Sequence, residues 1–513
     1  MPQSYLIGVD LGTSATRAAL YDLDGCLIAE ASVEVPIYTP RPGVVEQEND
    51  DFYRSAAQTV SQCIQQSGID PRKVLAIAFD SQMAGIGSVD EDFRPATRFD
   101  SWLDMRCKPQ IEFLNQAFGE KITRLTGCPP TCDHGSKILW WKEERPEEYS
   151  RITKFVTPAG YVAGAMAGLK GEQAFMDTTF IHFSGYSDAV KGSWSEELIR
   201  EIGIDGDKLP EIVEPWRAIG TVTAKAARDF GLAEGTVIAA GAGDTAAGAL
   251  GAGIVRPGMV FDMAGTASVF AGCTDRYVSD DRHRALLTMR SVIPGLWHPL
   301  AYIAGGGLAL RWFRDQFYNA HHGQPQPLEE DLYDQMGAAA EKIAPGAEGL
   351  FFSPHLGGRI CPANPDMRGA WIGFSWGHTQ AHFFRAILES VAFEYAYYLS
   401  ILAPLIPDLR LIEARVVGGG ARSRVWNQIK ADILGVPYQR LARSEFGTWG
   451  SAMIAGKAAG VYENLAEIAA RTAQPDGEPA LPRAETHQFY GSLVRKYICL
   501  QENLNKTFGS GED

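Results

Sequence analysis

Two glycine-threonine turns, each following an apolar run that ends in aspartate, constrain this chain more than any other feature. Val9-Asp10-Leu11-Gly12-Thr13-Ser14-Ala15 is echoed about 250 residues later by Phe261-Asp262-Met263-Ala264-Gly265-Thr266-Ala267-Ser268. An apolar run feeding such a turn reads as a strand opening on a loop whose backbone N–H groups can face an anion. Two copies at long range predict two lobes with a cleft between them. At roughly 150 residues per domain, 513 residues leave room for two to four domains.

The coarse pattern is mixed α and β. Tyr5–Asp10, Ala15–Tyr21 and Leu27–Pro36 read as strands, with Asp22-Leu23-Asp24-Gly25 as a hairpin turn. Residues 50–66 carry helical spacing closed by Ser67-Gly68, and Val74–Phe79 reads as a buried strand. That order suggests a mixed sheet with helices rather than a simple βαβ start. Ile138–Glu148 reads as helical, with Pro146 as a break or a new start. Leu209–Pro215 and Gly231–Gly235 read as turns. A second sheet region begins near Met259, Phe383–Leu402 is a long helix, and Arg415–Val417 is a strand running into a helix over Trp426–Leu434.

Lys and Arg total 47 against 62 Asp and Glu, a formal charge of −15. With no basic run, nucleic acid and anionic membrane surfaces are poor partners. A small phosphate remains open, because backbone N–H groups can hold it. The N-terminus lacks a basic region, so no signal peptide is expected. The least polar long stretch, 237–255, contains Asp244 and is not expected to span a membrane. Cysteines 26, 63, 107, 128, 132, 273, 361 and 499 are scattered; only Cys128 and Cys132 are close, and reduced thiols in a cytosolic protein are expected.

Several segments could carry chemistry. In the first turn the Thr13 and Ser14 hydroxyls and the Arg17 guanidinium can ring phosphate oxygens; the alternative is an ordinary hairpin turn. Asp244 is a lone carboxylate among Gly241, Ala242, Gly243, Thr245, Ala246 and Ala247. Desolvation there would raise its pKa and suit it as a base, and it also suits a helix N-cap. Gly305-Gly306-Gly307 and Gly418-Gly419-Gly420 stand before helices, where bare backbone can meet a flat group or simply turn tightly. Trp102, Asp104 and Arg106 suit sugar binding or a surface ion pair. Gln82-Met83-Ala84-Gly85 falls at a strand end, where α/β ligands collect. His321 and His322, and His378 with His382 at i,i+4 spacing, could suggest a metal, but with no H-E-x-x-H motif and no carboxylate nearby in sequence they read as surface helix histidines.

Taken in order, these segments resemble the FGGY carbohydrate kinases over about residues 4–460. Further elements are Val45–Asp50, Lys137-Ile138-Leu139-Trp140, Pro354–Arg359 running to Arg368-Gly369, Gly418–Ser423, and Trp426 with Gln428–Asp432. The resemblance implies two duplicated α/β domains of the ribonuclease-H-like, actin/hexokinase type, a sugar-binding domain over 1–247 and a nucleotide-binding domain over 248–513 whose last helices can pack back onto the first. It implies transfer of the ATP γ-phosphoryl group to a sugar hydroxyl. Asp244 would be the base, and Asp10 with Asp244 would hold Mg²⁺. Thr13, Ser14, Arg17, Gly265 and Thr266 would contact phosphates; Gly306, Gly419, Gly420 and Ala421 would serve the nucleotide. Gln82, Met83, Trp102, Asp104, Arg106, Asp244 and Thr245 would shape the sugar pocket. Gln82-Met83 and Gly243-Asp244-Thr245 look most like the xylulose kinases, which makes D-xylulose the expected acceptor. Another polyol, ketose or sugar acid is the alternative, as is a non-catalytic sugar and ATP sensor. The chain departs from the xylulose kinase pattern with Ala84 in place of His, Thr245 in place of Asn, and Gly357-Gly358-Arg359 in place of a Gly-Glu-Arg segment. A small-molecule sugar, ATP and a homodimer partner are the expected associates, in the cytoplasm.

Overall fold

The computed structural model describes residues 4–318 and 329–509; His321 and His322 lie outside them. Packing divides the chain into two units. Unit 1 takes Met1–Val255, Thr288–Trp297 and Glu445–Ala473, and unit 2 takes Arg256–Leu287, His298–Ser444 and Gln474–Asp513. The division at 247/248 is therefore corrected in two ways. The boundary falls after the Asp244–Gly251 helix rather than inside it, and 445–473 belongs to unit 1.

Unit 1 is built on a mixed sheet. Tyr5–Leu11 is buried along nearly its whole length, as a central strand covered on both faces must be. It runs antiparallel to Ala15–Asp22 and parallel to Val74–Ser81. The hairpin closes as its sequence expects: the Asp22 carboxylate accepts from Asp24 N and Cys26 N, at 3.0 and 2.8 Å. The helix Asn49–Ser67 ends at Gly68 in the left-handed region, with φ of 63°. The helix Phe446–Ala458 lies directly on the sheet. A Cβ on Gly8 would sit 1.7 Å from the Thr448 carbonyl oxygen, so only glycine permits this approach.

Unit 2 repeats the arrangement. Met259–Ala264 runs antiparallel to Ser268–Gly272 and parallel to Glu413–Val417. The two echoed turns thus join equivalent strand pairs, and the duplication is real. Asp262 has a different fate from Asp10: Lys430 Nζ meets it at 2.6 Å and the Tyr395 hydroxyl donates to it at 2.8 Å, all three side chains buried. The long helix Gln380–Leu405 is apolar and long enough to cross a membrane, unlike 237–255, but most of it is buried in the unit 2 core. Inside it Glu394 receives Arg359, His355 and Tyr497 at 3.0, 3.2 and 2.8 Å. Burial works against its charge, but Arg359 and His355 outweigh burial and hold the carboxyl down to about 2. The Pro354–Arg359 segment therefore anchors this helix.

Local expectations are refined at three places. The 138–148 reading splits into helices His134–Glu144 and Pro146–Arg151, with Pro146 starting the second. Leu209–Pro215 is not only a turn, since Glu211–Val213 pairs in parallel with Phe175–Asp177. His382 is buried rather than on the surface, and its Nδ1 accepts from Thr379 N at 3.1 Å to cap the long helix. All eight cysteines are free.

Candidate active site

The unit 1 site grows from strand register. Ser32, Arg17, Asp10, Asp80 and Ala242 form one row across adjacent strands. Residues in register leave the sheet on the same face, and neighbouring strands lie about 4.7–4.9 Å apart. The row therefore sets Arg17, Asp10 and Asp80 side by side. Arg17 Nη1 meets Asp10 Oδ2 at 3.3 Å. Burial raises the Asp10 pKa, and Arg17 opposes the rise. Asp80 is fully buried, its Oδ2 accepts from Ser451 Oγ at 2.7 Å, and burial and then the Asp10 charge push its pKa well up.

Two residues beyond this row, the chain enters the Asp244–Gly251 helix, which Asp244 opens. Asp244 is half-buried; its Oδ1 accepts from Thr245 N and Oγ1 at 2.5 and 3.1 Å. Burial, and then the Asp10 charge, raise its pKa to about 7. A carboxylate poised there can take a proton from a hydroxyl near neutrality. Met83 is its neighbour, since a Cβ on Gly243 would come 2.5 Å from Met83 Cε.

The other expected sugar residues divide. Trp102 is partly exposed at 36% and donates from Nε1 to Thr13 Oγ1 at 2.9 Å. Thr13 in turn donates to Gln82 Oε1 at 3.3 Å, and Gln82 Nε2 donates to Gln47 Oε1 at 2.8 Å. Gln82 is buried with its amide occupied, so it sets the turn rather than offering itself to a ligand. Asp104 and Arg106 are also corrected. Asp104 is fully buried, accepting from Val45 N at 2.7 Å and from Arg106 Nε at 2.9 Å. Arg106 also reaches Glu46 at 2.6 Å and stacks on Trp140. The pair ties Val45, Glu46 and Trp140 together and is not free for sugar. Ser14 is exposed.

Unit 2 carries a cavity of about 600 Å³ lined by Gly265, Thr266, Gly307, Gly419, Gly420 and Trp426 among others. Trp426 donates from its indole to the Leu388 carbonyl at 2.9 Å, which fixes the wall. Gly418, at φ of 83°, turns the chain from strand Glu413–Val417 towards this wall. Two expectations shift by one place. Gly306 packs under the 265–268 turn, since its Cβ would lie 1.9 Å from Ser268 Oγ, and Gly307 faces the cavity instead. Ala421 is buried, and Arg422 and Ser423 line the cavity. Arg311, Tyr333 and Asp334 complete it and carry no local motif.

Among the described residues no set of three or more His, Cys, Asp or Glu is spaced to hold a metal alone. Asp10 and its neighbours are nevertheless oxygen donors, and Mg²⁺ takes one or two carboxylates with the rest from water and phosphate. The donor set fits that ion. Asp80, Ser451 and Glu445 were not singled out from sequence. The signal for Asp80 was present, as an aspartate ending the apolar strand Val74-Leu75-Ala76-Ile77-Ala78-Phe79 just as Asp10 ends its own.

Comparisons with known proteins give the family. Residues 5–251 match the model for the FGGY family of carbohydrate kinases, N-terminal domain, and residues 263–459 match the model for its C-terminal domain. A xylulose kinase from Bacillus subtilis is 27% identical over 503 residues, covering 96% of each chain. A gluconokinase from the same organism is 28% identical over 439 residues, covering 84% of this chain and 83% of that one. The crystal structure of xylulose kinase from Rhodospirillum rubrum superposes with a TM-score of 0.86 at 26% identity, over 98% of this chain and 99% of that one. With both family domains matched in order along most of its length, the chain belongs to the FGGY family of carbohydrate kinases.

Proposed function

We propose that the protein transfers the ATP γ-phosphoryl group to a hydroxyl of a ketopentose, D-xylulose first. The observation that carries the reading is Asp244, half-buried at a helix start, with its pKa raised to about 7 and one carboxylate oxygen left over from Thr245. Asp244 takes the proton from the attacking hydroxyl, so the oxygen meets the phosphorus as a better nucleophile. Met83, Trp102 and Thr245 orient the sugar, and the Gln47–Gln82–Thr13–Trp102 chain of hydrogen bonds holds the indole in place. Arg17 meets phosphate charge beside the Gly12–Ser14 turn. In unit 2, Gly265, Thr266 and Gly307 take the phosphates, and Gly419, Gly420 and Trp426 take the adenosine. Asp10 and Asp244 would hold Mg²⁺, which when bound neutralises phosphate charge.

The gluconokinase relative favours a sugar acid as the second reading. So does Lys137, buried with its ammonium donating to the Ala84 carbonyl at 3.4 Å, a positive charge beneath the Met83–Gly85 turn. Coupled ADP release over pentuloses, polyols and sugar acids tests both. Another substrate exceeding D-xylulose by more than about 100-fold in kcat/KM overturns the first reading. Sugar-dependent melting shifts without any ADP release would mark a sensor rather than a kinase.

A further inference from the structure

Asp80 is the one carboxylate of the unit 1 row for which the phosphoryl-transfer reading has no task. It stands in register with Asp10 on the adjacent parallel strand, and the two carboxyl groups face each other within hydrogen-bonding range. Its Oδ2 is held by Ser451, while Oδ1 is buried and, among the described residues, receives no donor. Gly447 keeps the space beside that oxygen open: a Cβ there would come 3.2 Å from Asp80 Oδ1. Asp244 and Glu445 are two further carboxylates that feel the charge of Asp10, and the guanidinium beside Asp10, that of Arg17, is nearly half exposed. A buried carboxylate with no donor is costly unless something positive meets it. Paired carboxylate oxygens match the hard, compact divalent cations.

We propose that Asp80 joins Asp10 in holding a divalent cation in unit 1 before any nucleotide is bound. The pair supplies two protein oxygens and water completes the shell, which is why no three-residue cluster is needed. Ser451 fixes the Asp80 carboxylate, so the cation position is set in the resting protein rather than brought in by ATP. The inference rests on the kinase reading only through Asp10 as a cation ligand.

The test is Mn²⁺ titration of the nucleotide-free full-length chain at pH 7.5, read by electron paramagnetic resonance, with Mg²⁺ as competitor. One Mn²⁺ per chain is expected, displaced by Mg²⁺ and weakened about 10–100-fold in Asp80→Asn and Asp80→Ala. A rise in wild-type melting temperature with Mg²⁺ alone gives a reading that needs no variant. Wild type that binds no Mn²⁺ without nucleotide, or variants that bind it as wild type does, overturn the proposal: the Asp10–Asp80 gap then holds a proton. Sugar-dependent ADP release is scored separately. Release by a protein that binds no Mn²⁺ alone defeats the cation inference and leaves the kinase reading standing. Mn²⁺ binding by a protein that phosphorylates no sugar upholds the inference and defeats the kinase reading.

Discussion

Replacing Asp244 by Asn separates chemistry from architecture at the centre of the site. Thr245 occupies Oδ1 through its N–H and hydroxyl, so Oδ2 is the atom left to accept a proton. Asparagine keeps an acceptor for Thr245 and puts an NH₂ donor where Oδ2 was. Loss of a general base costs about 10²–10⁴-fold in kcat, roughly 2.7–5.5 kcal/mol of barrier. The fold should not suffer. The folded pKa, about 7, lies above the ordinary 3.8, so the ionised carboxylate opposes folding at neutral pH, and its removal relieves that. Against this stands a lost charge at a helix N-terminus, worth about 0.3–1 kcal/mol. The melting temperature should therefore hold within a few degrees. Coupled ADP release under saturating ATP, with sugar varied, gives kcat and KM; kcat should collapse while KM stays within a few-fold. In wild type, kcat/KM should fall as pH drops through about 7, and that limb should vanish in the variant. A variant turning over within tenfold of wild type would refute Asp244 as the base.

Three further outcomes follow from named contacts. Arg17→Ala removes the guanidinium beside Asp10 and should weaken ATP use without altering sugar preference; a changed sugar order with intact ATP kinetics would show that the turn is only a hairpin. Ala84→His places an imidazole at a residue with φ of 62°, a region histidine tolerates better than most, and should lower the KM for D-xylulose about tenfold; an unchanged KM in a folded variant would refute the contact. Glu394→Gln leaves Arg359 buried without its carboxylate and should cost about 3–5 kcal/mol at pH 7 in urea unfolding. The folded pKa, about 2, lies below the ordinary 4.5, so this carboxylate's contribution is complete above about pH 4.5 and is lost as pH falls towards 2. The gap between wild type and variant should narrow below pH 4.5, and a gap independent of pH would refute the pairing.

The sequence by itself determined what local chemistry can write. Apolar runs and turn residues announced the opening hairpin, the helix closed by Gly68 and the strand after it. The echo of Asp10-to-Thr13 at Asp262-to-Thr266 announced a duplication that the matching strand pairs bear out. Asp244 stood out because a lone carboxylate among tiny residues suits both a helix start and a desolvated base. Tertiary structure decided everything that depends on which strand lies beside which. Register put Asp80 next to Asp10, across 70 residues of chain that carry no common spacing. Packing of residues 445–473 into unit 1 brought Ser451 to Asp80, a contact 371 residues apart. The ion pair of Asp104 with Arg106 was legible as an alternative, but its burial was not, and other partners carried no local signal: Val45 for Asp104, Glu46 for Arg106, Gln47 and Thr13 for Gln82. Asp10 and Asp262 follow similar runs at equivalent strands, yet one is left beside an exposed arginine and the other is neutralised by a buried lysine. Sequence periodicity reports which face a residue occupies; whether its polar atoms remain available depends on neighbours brought in from elsewhere in the chain.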